Sequence, residues 1–226
     1  MSEDAWPCYV LSNHDVPRHV TRYGGRHADA VAKVAAALTL TLRGTPFLYY
    51  GEEVGLPDIH LPRSLILDPP GRRYWPIYPG RDVARAPMPW EAGVHGGFTR
   101  GRPWLPLHPS YPYRNVELQR RDPDSVWTFY RALLRLRREQ AALRRGDFRP
   151  LVASPGDGLI YLRSEGPDAA LVALNFRGHP TRLPTDARLE AGQWQLALSS
   201  LGSPSAAIER DGIMLGPHEA AIFISR

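Results

Sequence analysis

Proline is the feature that most limits what this chain can fold into. More than half of its 23 prolines lie between Pro57 and Pro123. Because proline fixes φ and lacks a backbone donor, this stretch cannot form a long helix or a central strand. It also contains three tryptophans, and disordered segments are poor in aromatic residues. We therefore predict one long, ordered, proline- and tryptophan-rich loop over about residues 51–122.

A strand, a helix and a second strand are predicted before this loop. Residues 8–11 form a short apolar run, apolar residues then recur at helical spacing up to Gly44, and residues 46–50 form a second buried run. Two strands joined by a crossover helix indicate a parallel pair with a right-handed connection. Polar residues follow both strands, and in parallel α/β folds the chemistry gathers at those ends.

A helix and then several short strands are predicted after the loop. An apolar stripe at helical spacing follows Asp122, which we interpret as the N-cap, and it ends before Gly146. From residue 147 the pattern changes to β-like runs separated by turn residues, which indicates an antiparallel sheet domain. The runs are residues 158–163, 169–176, 193–198, 212–215 and 220–224. The sequence thus predicts two domains, 1–146 and 147–226.

The composition excludes several classes of protein. Of the 226 residues, 43% are hydrophobic and 23% are charged, which is typical of a globular chain with a sizeable core. The single cysteine, Cys8, cannot form an internal disulfide, and no Cys/His spacing resembles a zinc site. We see neither a spanning helix nor a signal peptide, and we expect a cytoplasmic protein that does not associate with membranes.

The basic charge does not point to nucleic acid. The net charge is +5, and Lys33 is the one lysine among 28 basic residues. The arginines are scattered, and their densest run, Arg131 to Arg145, lies along a helical pattern. A nucleic-acid-binding surface usually concentrates its charges in a patch with aromatic residues. We therefore expect no nucleic-acid partner.

The sharpest polar cluster is Asn13-His14-Asp15, at the end of the first predicted strand. A carboxylate beside an imidazole could be an acid/base pair or could hold sugar hydroxyls. It could equally be a helix cap, because Asp15 stands just before Val16-Pro17. The triplet alone does not decide between these alternatives.

Several ordered motifs together resemble the C-terminal part of α-glucosidases, of the oligo-1,6-glucosidase type, in the α-amylase family of glycoside hydrolases. They cover more than half of the chain, up to the arginine-rich helix. In order, the motifs are Tyr9-Val-Leu-Ser-Asn-His-Asp15 with Arg18, Gly44-Thr-Pro-Phe-Leu-Tyr-Tyr-Gly-Glu-Glu-Val-Gly55, Asp68-Pro, Trp75-Pro, Pro79-Gly-Arg-Asp82, Arg85-Ala-Pro-Met-Pro-Trp90, Asn115-Val116, Gln119 and Asp122-Pro123. Residues 147–226 fit the family by position and pattern more than by motif.

The resemblance implies a fold and an activity. The fold would be α/β plus all-β: the last two strands and helices of a (β/α)8 TIM barrel in residues 1–146, followed by an antiparallel β-sandwich. The activity would be that of a retaining α-glucosidase, which hydrolyses α-glucosidic bonds of oligosaccharides with a carboxylate nucleophile and a carboxylic acid. No cofactor is implied, and no metal site is expected in this chain.

The resemblance also implies roles for four residues. Asp15 would hold ring hydroxyls of the sugar whose bond is cleaved and stabilise the oxocarbenium-like transition state. His14 and Asn13 would bind the same sugar. Arg85 would lie under that subsite or, equally, pair with a carboxylate to fix its loop. Arg18 could line the acceptor side, but we do not assign it a role.

Other candidate residues are given structural roles. Glu52 and Glu53 follow the second strand, but neighbours on an extended chain face opposite sides and cannot together flank one bond. Trp75, Tyr78 and Trp90 could stack on sugars, although aromatic residues in such a loop more often pack together.

The family's first six barrel strands, its nucleophile and its general acid precede the Asn-His-Asp motif. None of them is in this sequence, so we interpret the chain as an enzyme fragment, inactive alone, whose partners are the missing N-terminal part and the α-glucoside oligosaccharide substrate. Two alternatives remain open. The chain could be a non-catalytic carbohydrate-binding or scaffolding remnant, or a fragment of a transglycosylating relative such as a trehalose or isomaltulose synthase.

Overall fold

The computed structural model describes residues 5–154, 157–184, 193–210 and 212–225. Contacts divide the chain into two compact units that are interleaved in sequence. The first unit consists of Met1–Tyr9, Lys33–Phe47 and Phe129–Arg226. The second consists of Val10–Ala32 and Leu48–Thr128. In the described ranges, no helix is both long enough and apolar enough to cross a membrane.

The strand–helix–strand pattern is present, with strands shorter than the apolar runs suggested. Strands β1 (Cys8–Val10) and β2 (Thr45–Phe47) form a two-stranded sheet, and helix α1 (Ala28–Thr41) connects them in sequence. The apolar run of residues 46–50 leaves the sheet after Phe47 and enters a turn at Tyr50 and Gly51. Gly51 adopts a φ of 84°, which favours glycine, and the chain continues into a short 3-10 turn at Glu52–Val54.

The predicted long loop forms the larger part of the second unit. Residues 51–122 contain no strand, but they contain short helical segments that the pattern did not predict. These include α2 (Pro69–Tyr74), α3 (Val116–Arg121) and 3-10 turns at Arg63–Leu65, Asp82–Arg85 and Val94–Gly97. Two apolar clusters order the loop: Ile59, Leu61, Ile66, Ala86 and Leu105 form one, and Val54, Leu56, Met88 and Val116 form the other.

The arginine-rich helix is broken in two. Helix α4 (Val126–Glu139) is followed by α5 (Ala141–Arg145), because Gln140 takes an extended conformation. The predicted N-cap is wrong. The N-cap is Ser125, whose hydroxyl accepts the backbone N–H of Thr128 in the first turn of α4. The Asp122 carboxylate instead accepts the N–H of Asp124, which precedes the helix.

The C-terminal residues form two antiparallel sheets. The five-stranded sheet has the order β3-β4-β5-β10-β7, and the three-stranded sheet has the order β6-β9-β8. The strands are β3 (Asp147–Ser154), β4 (Gly158–Glu165), β5 (Asp168–Asn175), β6 (Thr181–Pro184), β7 (Trp194–Ser199), β8 (Ala207–Glu209), β9 (Gly212–Leu215) and β10 (Ala220–Ser225). Side chains from both sheets share one apolar core, which includes Ile160, Leu171, Leu183, Ile213 and Phe223. An antiparallel sheet domain is therefore present here.

Candidate active site

The Asn13-His14-Asp15 triplet lies just after strand β1, in the second unit. The side-chain oxygen of Asn13 accepts the backbone N–H groups of Asp15 and Val16, at 2.8 and 3.0 Å. This is the turn that a short amide side chain makes with the residues that follow it. It leaves the Asn13 amide nitrogen as the group that could reach a sugar, and it fixes the direction in which His14 and Asp15 point.

Asp15 and His14 are accessible from solvent. The side chain of Asp15 is 48% exposed and that of His14 is 67% exposed, with 3.4 Å between His14 Nε2 and the Asp15 carboxylate. The helix-cap interpretation of Asp15 is wrong, because the next helical turn begins at Val20 and its N-cap position is His19. Asp15 is therefore a carboxylate presented at the surface of the unit.

Two guanidinium groups reach Asp15 from the proline-rich loop. Arg85 Nη2 and Arg81 Nη1 lie 3.3 and 3.4 Å from the same carboxylate oxygen, Asp15 Oδ1. Arg85 Nε also donates to the backbone carbonyl of His14, at 2.9 Å. The structure thus brings the four predicted residues Asn13, His14, Asp15 and Arg85 together, across a sequence gap of about 70 residues. The second oxygen of Asp15 is the one that faces His14.

Arg81 is the residue that sequence reasoning missed. Its Nη2 and Nε donate to Asp68 Oδ1 at 2.6 and 3.0 Å, and its backbone N–H donates to Asp68 Oδ2. Asp68 is only 3% exposed. Both side-chain donors share one carboxylate oxygen, and such charge-assisted hydrogen bonds hold the guanidinium in place; the remaining nitrogen of Arg81 lies 3.4 Å from Asp15 Oδ1. The motif containing Arg81 was visible in the sequence, but its contacts with Asp68 and Asp15 were not.

Asp82 fixes the loop behind these arginines. One of its carboxylate oxygens accepts the backbone N–H groups of Leu67 and Asp68, both at 2.7 Å, and the other lies 3.7 Å from Arg85 Nη1. Asp82 is 1% exposed. Arg85 therefore contacts a carboxylate that fixes its loop, as the structural interpretation predicted. It also lies beside Asp15, as the functional interpretation requires.

Burial alone would raise the pKa of Asp68, but the hydrogen bonds and the charge of Arg81 outweigh it and lower that pKa. A carboxylate whose pKa is lowered by folding stabilises the folded state at pH values above its unfolded pKa. This contribution is lost as the pH falls through the folded pKa. We expect Arg81→Gln to melt at a lower temperature than wild type at neutral pH. The gap should shrink as the pH falls below about 3.9, where Asp68 of the unfolded chain begins to take up a proton, and it should close below the lowered pKa of the folded state.

Thermal unfolding followed from pH 7 downwards checks this expectation. The exposed Arg100→Gln is the matched control and should melt like wild type throughout. A gap between Arg81→Gln and wild type that stays constant with pH would show that the Asp68–Arg81 pair is not its cause.

The other candidates make contacts of their own. Arg18 is 1% exposed, donates to the carbonyl of Tyr50, and lies over the Tyr49 and Tyr50 rings. Glu52 is buried, 3.6 Å from His19 Nδ1, and burial raises the pKa of Glu53. These contacts agree with the structural roles given to the two glutamates, and they place Arg18 in the interior of its unit.

The aromatic candidates of the loop divide into two groups. Trp75 packs on the cluster around Ile66 and lies beside the His60 ring, with 6.0 Å between ring centroids. Tyr78 and Trp90 are exposed. Packing therefore accounts for Trp75, and stacking on a sugar stays a prediction for the other two.

Comparisons with known proteins give the family. Residues 1–146 match the family model described as alpha amylase, catalytic domain. A probable alpha-glucosidase of Rhizobium meliloti is 41% identical over 175 residues, which are 76% of this chain and 32% of that protein. An oligo-1,6-glucosidase of Halalkalibacterium halodurans is 30% identical over 255 residues, which cover 100% of this chain and 44% of that protein.

Solved structures show the same relationship. An alpha-glucosyl transfer enzyme, XgtA, superimposes with a TM-score of 0.86 and 37% identity, over 98% of this chain and 40% of that one. The trehalulose synthase MutB from Pseudomonas mesoacidophila gives a TM-score of 0.84 and 30% identity, over 100% of this chain and 44% of that one. The chain thus spans less than half the length of these relatives, and it belongs to the α-amylase family of glycoside hydrolases.

Proposed function

We propose that this chain is the C-terminal part of a retaining α-glucosidase that hydrolyses α-glucosidic bonds of oligosaccharides. The observation that carries the proposal is the half-exposed Asp15 carboxylate, held by Arg81 and Arg85 beside His14. In this proposal residues 1–146 contribute the last two strands and helices of a (β/α)8 barrel, and the two antiparallel sheets that follow are the β-sandwich. The intact protein would act in the cytoplasm.

Asp15 would act on the sugar whose glycosidic bond is broken. Positive charge develops on the ring as the bond to the leaving group stretches, and a carboxylate that accepts hydrogen bonds from ring hydroxyls binds this state more tightly than the ground state. The two arginines contact Oδ1 and keep the carboxylate from turning. Such preorganisation lowers the barrier because the group needs no rearrangement during the reaction.

His14, Asn13 and Arg85 would bind the same sugar. His14 stands exposed next to Asp15 and can donate a hydrogen bond to a neighbouring hydroxyl. Arg85 is tied to the His14 backbone and to Asp15, so it would position the subsite and line its base. The nucleophile and the general acid would come from the part of the protein that precedes these residues, as in other retaining glycosidases with two carboxyl groups.

Two exposed apolar residues in the strands support the proposal that a preceding part of the enzyme packs against this chain. Phe47 in β2 is 53% exposed and Val10 in β1 is 47% exposed. Strands in parallel α/β proteins are normally covered on both faces. The upstream barrel strands of the same enzyme would cover these side chains.

Transglycosylation is the second candidate activity. It is favoured by one observation: the similar solved structures include a glucosyl transfer enzyme at 37% identity and a trehalulose synthase at 30%. Asp15 would serve both reactions, because hydrolysis and transglycosylation differ in the acceptor: water takes the glucosyl group from the enzyme in one and a sugar takes it in the other.

A chimera tests the proposed function. The part of the Rhizobium meliloti relative that precedes the matched region is joined to this chain, and isomaltose is the substrate. We expect the isolated chain to release no glucose, because two carboxyl groups are needed and it supplies neither. The chimera should release α-glucose first, and a sugar acceptor added to the assay should receive glucosyl groups if the second candidate is correct.

Folding of the chimera is checked first by a single cooperative melting transition. A folded chimera that cleaves neither isomaltose nor maltose would contradict the proposal. Glucose release by the isolated chain that disappears in Asp15→Asn would contradict it as well, because that activity would belong to this chain alone.

A further inference from the structure

A groove in the proline-rich loop carries aromatic and polar groups that the Asp15 site does not use. It has a volume of about 370 Å³ and is lined by Trp104, Tyr111, His95, Arg102 and Leu107, among others. We call it the Trp104 groove. None of its lining residues belongs to the constellation around Asp15, and its volume falls in the range of small-molecule sites.

The indole of Trp104 is presented to solvent by a fixed backbone. Its side chain is 55% exposed, whereas the next residue, Leu105, is fully buried in the apolar cluster with Ile66. Pro103 and Pro106 flank the pair and restrict φ on both sides. The backbone is thus anchored through Leu105, and the large apolar ring of Trp104 remains at the surface.

A tight turn forms one side of the groove and holds His95. His95 has a φ of 53°, which is uncommon for a residue other than glycine. The carbonyl of Gly96 accepts the N–H of Trp90 at 2.8 Å, and a Cβ on Gly96 would lie only 2.2 Å from Leu107 Cδ2. The turn is therefore packed directly on the groove wall. Backbone conformations of this kind cost stability and cluster at ligand sites.

The polar ends of the lining side chains have no partner within the described chain. In residues 5–154 and the other described ranges, no hydrogen bond or ion pair engages Trp104 Nε1, the Tyr111 hydroxyl, the His95 ring or the Arg102 guanidinium. No carboxylate lines the groove. It therefore combines aromatic faces with several donors and acceptors and carries no fixed negative charge.

This combination fits a pyranose ring. A glucopyranose unit has apolar C–H faces that pack on an indole, and a rim of hydroxyls that pair with imidazole, guanidinium and phenol groups. We propose that the Trp104 groove binds one glucopyranose unit of an α-gluco-oligosaccharide; the choice of sugar rests on the proposed function. The lining shares no residue with the Asp15 constellation, and every lining residue belongs to this chain.

The experiment titrates the isolated chain with isomaltotriose and follows the indole N–H signals of its six tryptophans by NMR. The Trp104 signal, assigned by its loss in Trp104→Phe, should shift and saturate. Trp104→Ala should weaken binding about tenfold or more, which corresponds to about 1.4 kcal/mol. Because Trp104 is the one tryptophan in the groove lining, the binding constant of Trp104→Ala is measured by calorimetry.

Two control variants separate this groove from the rest of the molecule. Tyr113→Ala removes an aromatic side chain that is 74% exposed and does not line the groove, and it should bind isomaltotriose like wild type. Glu117→Gln should also bind like wild type, because Glu117 pairs with Arg121 at the surface and does not line the groove. A dispersed spectrum for each variant establishes that it is folded.

Equal binding by wild type and Trp104→Ala would overturn the proposal, and so would a Trp104 signal that does not saturate with sugar. Failure of the glucosidase proposal is recognised separately, by a folded but inactive chimera. Sugar binding at Trp104 in the isolated chain would stand even in that case.

Discussion

Replacing Asp15 by Asn in the chimera should lower kcat for isomaltose by about 10³-fold or more, with a much smaller change in KM. Losing one preorganised electrostatic contact to a transition state typically costs about 10²- to 10³-fold. Losing a member of a catalytic constellation can cost about 10⁴-fold. Asn has the same size as Asp and keeps one carbonyl oxygen. It lacks the negative charge that stabilises the positively charged, oxocarbenium-like ring.

The structure explains why this substitution should leave the fold intact. The side chain of Asp15 is half exposed, and Arg81 and Arg85 each keep another carboxylate partner, Asp68 and Asp82. Glu117→Gln is the matched control, because it makes the same change at an exposed carboxylate that pairs with Arg121 on the loop. Asp15→Asn activity within tenfold of wild type would show that Asp15 does not act in the transition state.

Replacing Arg163 by Leu should strongly destabilise the first unit. Arg163 in β4 is fully buried, and its guanidinium donates to the carbonyls of Thr41, Leu143, Gly146 and Asp147. These carbonyls stand at the C-terminal ends of helices α1 and α5 and at the start of β3. Backbone groups at such ends have no partner within their own helix. Arg163 therefore satisfies acceptors that no water could easily reach.

The expected cost follows from those acceptors. Each buried carbonyl left without a donor costs about 1–3 kcal/mol, and the stability of a domain is about 5–15 kcal/mol in total. Arg163→Leu keeps the apolar bulk and leaves three such groups, because the Leu143 carbonyl still accepts from Arg137, so a loss of about 3 kcal/mol or more is expected. Burial lowers the pKa of Arg163 to about 10, so it remains a cation at pH 7.

Urea unfolding followed by circular dichroism measures this loss. Arg163→Lys retains the charge but not the fork of donors, and it should lie between wild type and Arg163→Leu. Arg145→Leu is the control, because Arg145 is exposed and pairs with Glu165 at the surface, where such pairs contribute about 0–1 kcal/mol. An Arg163→Leu variant as stable as Arg145→Leu would contradict this interpretation of the guanidinium.

Local patterns in the sequence predicted the elements that bury a clear apolar face. Helix α1 and the strands β4, β5, β7, β9 and β10 all lie on runs that the pattern marked. Strand β3 was missed because Arg149 and Pro150 interrupt its apolar residues. Strands β6 and β8 were missed because Arg182, Pro184 and Glu209 leave them too few apolar residues to form a run. These strands are specified by the neighbours with which they pair, β4 and β9.

The candidate site was predictable only through its local motifs. Asn13, His14 and Asp15 follow one another, and the motif around Arg85 is continuous. The contact of Arg81 with Asp15 spans 66 residues, and the contact with Asp68 spans 13. Nothing in the periodicity of the chain links these positions, because the loop reaches them through turns fixed by Asp82 and by its apolar clusters.

The break between α4 and α5 shows the same limit. The apolar stripe continues through Gln140 and gives no sign of an interruption. The carbonyls of Leu40 and Leu143 both accept from Arg137, and this side chain ties α5 back against the end of α1. A tertiary contact of this kind overrides the helical pattern of the local sequence.

The role of Asp15 is tested most directly by the affinities of two ligands for the chimera and for its Asp15→Asn variant. One is a cationic sugar mimic of the oxocarbenium ion, and the other is glucose. If Asp15 acts in the transition state, the mimic should lose affinity by about the factor lost in kcat, whereas glucose should lose far less. Equal losses for both ligands, or no loss for the mimic, would contradict the role proposed for Asp15.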